Sequence, residues 1–425
     1  MNEKLQPILD NSYLVGGAVR DILLNVKPSD FDYLVIDHEE SDMINAGFKK
    51  VGTSHDVFIL DNQSKEYSLP RKPANYFYKR YQRTGKDYDK QYDDILNVMR
   101  SDLYCRDFTI NSMLMDKHGK LFDPFDGKKD LKNKLIKQNS ENCFLDDPIR
   151  ILRAFRLCAK YDFNLDGRTA NNIRSLIKEG ILDNLTAERV WIELSKGLMT
   201  DRPSKMFYLM KKYGALKVLL PEVYNLFGIP QLSKYHPEID TGVHTMMAVD
   251  YSAKTNLSLS QRFGVLVHDL GKAVTPKEIL PKHHNHEQNG VSLVENLCDR
   301  LKVDRHTKNL SMNFCKNHTR FFQLSVMNPG SIISLFEDIG AYRNANNLLD
   351  QLDMAICDKR GRSGIYPNYP IEFRYHFSYL LDVSETIDKA SIAKKFEGDG
   401  NKISLAIHNE RCSAIRNILK NIQKE

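Results

Sequence analysis

Up to about Met115 the chain carries short apolar runs, Tyr13–Val15, Tyr33–Ile36 and Val57–Leu60, set between polar and turn-forming stretches. Such runs predict strands, whereas Ala18–Asn25 spaces its apolar residues as a helix does. From about Asp147 the period changes. ILRAFRLCAKY, ERVWIELSKGLM and SKMFYLMKKYGALKVLL repeat apolar residues every three or four positions, with Gly and Pro kept to the junctions. The pattern predicts an α+β fold: a head of strands and helices, then an all-helical neck and body. At 425 residues the chain exceeds one ordinary core. We expect a head over residues 1–139, a helical neck and body over 140–225, a further helical domain over 226–372 and a helical tail over 373–425.

Composition narrows the setting. Hydrophobic residues make up 41% and charged residues 27%, values typical of chains that bury a core in water. The opening MNEKLQPILDNSYLVGG lacks the basic start and apolar stretch of a secretory signal, and no apolar run is long enough to cross a bilayer. The expectation is a cytoplasmic protein with no membrane partner. Seven cysteines, Cys105, Cys143, Cys158, Cys298, Cys315, Cys357 and Cys412, show no paired spacing and are odd in number, which argues for reduced thiols over a disulfide framework or zinc ribbon. A net charge of +6 is compatible with a polyanionic partner but does not require one. In Arg71–Lys90 basic residues interleave with Tyr and Phe, which suits either unpaired RNA or a solvated loop.

Three motifs carry chemistry in the first half. LVGGAVRD, Leu14–Asp21, puts two glycines between an apolar strand and a helix, so backbone N–H groups at Gly17 can approach a phosphate and Arg20 can grip it. A tight strand-to-helix connection would read the same way. Asp30–Phe31–Asp32 places two carboxylates on one face of a strand, where two like charges call for a cation. Hard ions such as Mg²⁺ prefer carboxylate and phosphate oxygens and can activate an attacking hydroxyl. Asp147, Arg150 and Arg153 recur three residues apart at the start of a helix, with Pro148 expected in its first turn. A carboxylate beside an arginine can read the donor-next-to-acceptor edge that cytosine and adenine share and that guanine and uracil reverse.

LVGGAVRD, DFD followed by YLVI, and RDFTINSM at Arg106–Met113 together resemble the class II tRNA nucleotidyltransferases, CCA-adding enzymes of the polymerase-β-like nucleotidyltransferase superfamily, and their bacterial poly(A) polymerase relatives. The resemblance implies a nucleotidyltransferase head with a mixed sheet, in which Asp30 and Asp32 are catalytic and hold Mg²⁺. It implies nucleotide contacts at Gly17, Arg20 and Arg106, and a template motif in which Asp147 and Arg150 pair with the base and Arg153 adds a contact. Two positions depart from the usual pattern: Cys105 stands where a first arginine is usual, and Asp146 where Glu is. The implied substrates are CTP, ATP and the tRNA 3′ end, held through acceptor- and T-arm shape by a monomer or homodimer. A poly(A) polymerase, a CC-adding relative and a non-catalytic RNA-binding head remain alternatives.

The second half holds His244, His268–Asp269 in HDLGK and the cluster His283, His284, His286, and apolar helical flanks surround His268–Asp269. A buried His-Asp pair is costly unless something satisfies it, and a divalent metal would. HDLGK resembles the signature of HD-domain phosphohydrolases, which implies that His244, His268 and Asp269 ligate a metal, Mg²⁺, Mn²⁺, Ni²⁺ or Co²⁺, with Asp358 completing the set and Asp353 the second choice. KYHPEIDTGVHTMM, PKHHNHEQNGV and DKRGRSG extend the likeness to the multifunctional CCA proteins of gammaproteobacteria. That implies hydrolysis of 2′,3′-cyclic phosphates, 2′-nucleotides and other phosphomonoesters.

Overall fold

The computed structural model describes residues 4–51, 57–60, 65–71, 90–364, 369–396 and 398–424, with side chains of residues 90–94 excepted. Most of the basic-aromatic stretch Arg71–Lys90 therefore lies outside the described residues. The chain divides into two compact units, Met1–Ile181 and Leu182–Glu425.

The first unit is built on a mixed sheet, with strands on the apolar runs and the mixed pairing that the family resemblance implies. Its strands among the described residues are β1 (Ser12–Val15), β2 (Phe31–Val35), β3 (Lys49–Val51), β4 (Val57–Ile59), β5 (Lys65–Ser68), β6 (Leu114–Met115) and β7 (Leu121–Phe122), ordered β3-β4-β5-β2-β1-β6-β7. Neighbours are antiparallel except β2 and β5, which run parallel. Alternation along β2 sends Val35 into a core with Met43, Phe48 and Phe58, and Leu34 into the opposite core with Val15, Met99 and Leu103. The helix Lys90–Tyr104 supplies Met99 and Leu103. Asp32 is two residues before Leu34 and so shares the face that this helix covers. Its register partner on β1 is Val15, the last residue before the Gly-Gly turn, so the first two motifs meet at one end of paired strands.

The helices from Arg150 to Lys178 complete the first unit. Helix Arg150–Tyr161 buries Ile151, Leu152, Ala154, Phe155, Leu157 and Cys158 along one face, leaving Arg153 exposed. Its first turn differs from the sequence expectation: the helix begins at Arg150, and Asp147 before it is extended (φ −154°, ψ 100°). The following proline disfavours helical backbone at Asp147. Asp147 therefore precedes the helix and is not on its face.

The named elements of the second unit are all helices, from Ala187–Leu198 to Gly400–Ile422, with one isolated bridge between Pro230 and Asp240 among the described residues. Five of its helices set the second site: Thr241–Lys254, Leu259–Val267, His286–Leu301, Arg305–Asn317 and Asn346–Arg360. Asp240 caps the first by accepting from the Val243 N–H at 2.9 Å. Ser258 and Gln261 form a capping box on the second. All seven cysteines are free thiols, and no described helix is long and apolar enough to cross a membrane.

Candidate functional sites

The Gly-Gly turn requires glycine at its first position. Gly16 has φ +74°, and a Cβ there would approach Arg106 Nη1 at 3.1 Å, so the Arg106 guanidinium lies against the turn. Burial raises the pKa of half-buried Asp32; Arg106 and Arg153 oppose the shift and Asp30 adds to it. The fold thus gathers Asp30, Asp32, Arg106 and Arg153 around one strand end. Asp30 itself is exposed and accepts from Ser29 Oγ at 2.8 Å.

The other arginines are held differently. Arg20 is buried: its Nη1 donates to Asn111 Oδ1 at 2.6 Å, its Nε to Asp21 Oδ1 at 2.9 Å, and Tyr161 both stacks beneath it at 4.7 Å and donates to Asp21. This network anchors the guanidinium, and its Nη2 lies 3.3 Å from where a Gly17 Cβ would stand, beside the turn. Arg150 donates to the carbonyls of Cys105 at 3.1 Å and Cys143 at 3.2 Å, which fixes the guanidinium plane. Arg153 Nε lies 2.7 Å from Asp107 Oδ2. Burial works against ionising Asp107, but Arg153, Asn111 and the Phe108 N–H together hold its pKa below the usual carboxylate range.

In the second unit His244, His268, Asp269 and Asp358 converge in a buried pocket. His244 Nε2 is 3.1 Å from Asp358 Oδ1 and 3.9 Å from Asp269 Oδ2; His268 Nε2 is 3.2 Å from Asp269 Oδ2 and 4.0 Å from Asp358 Oδ1. Asp353 is elsewhere, paired with Arg374 at 2.8 Å. The turn carrying Asp269 packs tightly on helix His286–Leu301: a Cβ on Gly271 would collide with the His286 carbonyl and stand 2.7 Å from Gly290 N.

That packing delivers two histidines the sequence did not single out as ligands. His286 Nε2 and His318 Nε2 each lie 3.5 Å from Asp269 Oδ1 and 3.3 Å from one another. The Nδ1 atoms of His268, His286 and His318 face the carbonyls of Val265, His283 and Cys315, each three residues back, at 2.7, 2.8 and 3.0 Å. A ring that donates there keeps a lone pair on Nε2, the arrangement metal-ligating histidines adopt. Burial lowers the pKa of His286 to about 4, so it is neutral at neutral pH.

A divalent cation fits both ends of this pocket. Nε2 of His244, Nε2 of His268 and Oδ1 of Asp269 are buried without an aligned hydrogen-bond partner, and such atoms are costly unless something satisfies them. Donors bound at about 2.1 Å stand about 3.0–3.4 Å apart around an octahedral or tetrahedral ion, close to the triangle of His286, His318 and Asp269. Buried cations already balance the carboxylates: Lys272 Nζ is 2.8 Å from Asp269 Oδ2 and Arg362 Nη2 is 2.7 Å from Asp358 Oδ1. Although burial opposes it, these cations and the histidines hold both carboxyls well below their ordinary pKa.

Three family models match successive parts of the chain, the middle one spanning the boundary between the two units. Residues 12–137 match the poly A polymerase head domain, 162–226 a probable RNA and SrmB-binding site of polymerase A, and 241–360 the HD domain. A multifunctional CCA protein of Methylobacillus flagellatus is 38% identical over 95% of this chain and 96% of its own length. The chain belongs to the multifunctional CCA protein family. A Neisseria gonorrhoeae member is 39% identical over 92% of this chain and 93% of its own. Among solved structures, a CCA-adding enzyme in complex with CTP has a TM-score of 0.63 at 19% identity, covering 96% of this chain and 89% of that one. The Thermotoga maritima CCA-adding enzyme complexed with tRNA has a TM-score of 0.62 at 19% identity, covering 98% and 93%. These structures share the fold of this multifunctional CCA protein family member.

Proposed function

We propose that the first unit adds C, C and A to the 3′ end of tRNA from CTP and ATP, and that the second is a phosphohydrolase acting on 2′,3′-cyclic phosphates, 2′-nucleotides and other phosphomonoesters. The observation that carries the first part is the strand end where Asp30, Asp32, Arg106 and Arg153 meet beside the Gly-Gly turn; membership of the multifunctional CCA proteins supports both parts.

In the first unit Asp30 and Asp32 hold Mg²⁺, which when bound activates the RNA 3′-hydroxyl and neutralises charge on the leaving pyrophosphate. Gly16 and Gly17 let the backbone approach the triphosphate, and Arg106 contacts its phosphate or ribose. Arg150, its plane set by two carbonyls, and Asp147 read the base edge, and Arg153 adds a nucleotide contact. Arg20 acts from within, tying the turn to Asn111. Rejection of GTP and UTP comes from leaving their base edges unpaired in the site, about 1–3 kcal/mol per group.

In the second unit His244, His268, Asp269 and Asp358 would hold one divalent cation, and Asp269, His286 and His318 would be the donors for a second. The ions supply Lewis acidity at the substrate phosphate. Lys272 and Arg362 orient the two carboxylates.

The two sites are separable by mutation. Asp30→Ala should abolish nucleotide incorporation and leave phosphatase activity, and His268→Ala should do the reverse. Loss of both activities from either single change in folded protein would contradict the two-site assignment.

A further inference from the structure

We propose that Asp102 is a positioning residue of the nucleotidyl-transfer site, setting the guanidinium of Arg106 against the Gly-Gly turn and tying it to the backbone at Arg71. Asp102 is 1% exposed, near the end of helix Lys90–Tyr104 and one helical turn before Arg106. Its Oδ2 accepts from both Nε and Nη2 of Arg106 at 3.1 Å. Its Oδ1 accepts from the Arg71 N–H at 3.1 Å, with Arg71 Nε 3.9 Å away.

A carboxylate this deeply buried is retained at a cost unless its charge and hydrogen bonds are satisfied. Both oxygens of Asp102 are satisfied, and the partners are two arginines beside the same site: Arg71 feels the charges of Arg106 and Arg150. Two donors to one oxygen orient the arginine plane as a single contact cannot. The third nitrogen, Nη1, is the one closest to where a Gly16 Cβ would stand. Asp102 thus grips one edge of Arg106 and leaves the edge beside the turn to meet a ligand. Asp102 lies too deep to touch substrate and acts only through Arg106.

The inference rests on the reading of Arg106 as a nucleotide contact, and kinetics can separate the two. Steady-state CCA addition would be measured for Asp102→Asn, Asp102→Glu, Arg106→Ala and the Asp102→Asn/Arg106→Ala double variant, alongside thermal unfolding. Asp102→Asn should raise KM for CTP and for ATP by the same factor, about tenfold, the weight of a charge-assisted hydrogen-bonded pair. It should lower kcat less and leave selection against GTP and UTP unchanged, because the base-reading residues keep their contacts. Asp102→Glu keeps the charge but displaces the carboxylate; it should fold and show the same KM defect, which decides the matter if the Asn variant does not fold. The double variant should be no worse than Arg106→Ala alone. Wild-type KM in folded Asp102→Asn or Asp102→Glu, or losses that multiply in the double variant, would overturn the positioning role. If Arg106→Ala itself left KM unchanged, the reading of Arg106 would fail instead.

Discussion

Replacing Asp269 by Asn would remove one negative charge from the centre of the HD pocket at nearly constant shape. Asp269 Oδ2 faces His244, His268 and Lys272, and Oδ1 faces His286 and His318, so both proposed cations lose their shared ligand together. In the metal-free protein the cost is modest: Lys272 keeps Gln231 Oε1 at 2.6 Å and can still bond the amide oxygen, which puts the loss at about 1–3 kcal/mol. The larger effect is on linkage. A site that binds only the folded state stabilises it by about 2.7 kcal/mol at a hundred times its dissociation constant, and two sites by about twice that. Urea unfolding with and without Mn²⁺, combined with metal content by mass spectrometry, would read both quantities. The wild type should hold two ions, His286→Ala one and Asp269→Asn none, with metal-induced stabilisation falling in that order. Undiminished stabilisation by Mn²⁺ in Asp269→Asn would refute the shared-ligand geometry.

Three further outcomes follow from the two sites. Asp147→Ala and Arg150→Ala should relax base choice, with misincorporation of G or U rising about tenfold or more, as expected when one base-edge contact worth about 1–3 kcal/mol is removed; single-nucleotide incorporation assays would show it, and unchanged selectivity would exclude these residues from base reading. Burial raises the pKa of Asp32, so ionised Asp32 is a burden on the fold, present above its folded pKa and absent in strong acid; Asp32→Asn should therefore raise the melting temperature of metal-free protein at neutral pH while abolishing incorporation. Burial also lowers His236 to about 3 and His286 to about 4. Their stability contribution is complete above the unfolded value near 6.5 and is lost as pH falls through that value toward the folded ones, so metal-free protein should lose about 2 kcal/mol per histidine between pH 7 and about pH 5. In that window the depressed Asp269 and Asp358 stay ionised, whereas at His268 burial is outweighed by Asp269 and Asp358, which raise its pKa, so it shifts stability the opposite way and offsets part of the loss.

What the sequence made legible was what is written locally. The α+β division follows from a change of hydrophobic period, and β1 and β2 lie on the runs Tyr13–Val15 and Tyr33–Ile36. The Asp30–Asp32 pair and HDLGK are each contained in a few residues. Contacts made by tertiary packing were less legible. His318 follows Asp269 by a long helical stretch, and a lone histidine at a helix end reads as ordinary; the signal available was that His268 and His318 both stand directly after a helix, where Nδ1 can reach the carbonyl three residues back. Asp102 was visible only as a carboxylate four residues before Arg106, a common surface pairing that burial makes consequential here. Arg20 shows the same limit: the motif places it beside the phosphate turn, where its Nη2 lies 3.3 Å from where a Gly17 Cβ would stand, but its contacts to Asn111 and Tyr161 come from distant segments and are not written in the motif.

The central claim is that this chain builds CCA without a template. Purified protein would be incubated with tRNA transcripts lacking the three terminal nucleotides, all four NTPs and Mg²⁺, and the extended 3′ ends sequenced. The account predicts ends that read C, C, A and stop there; runs of A, a halt after two C residues, or no extension by folded protein would contradict it.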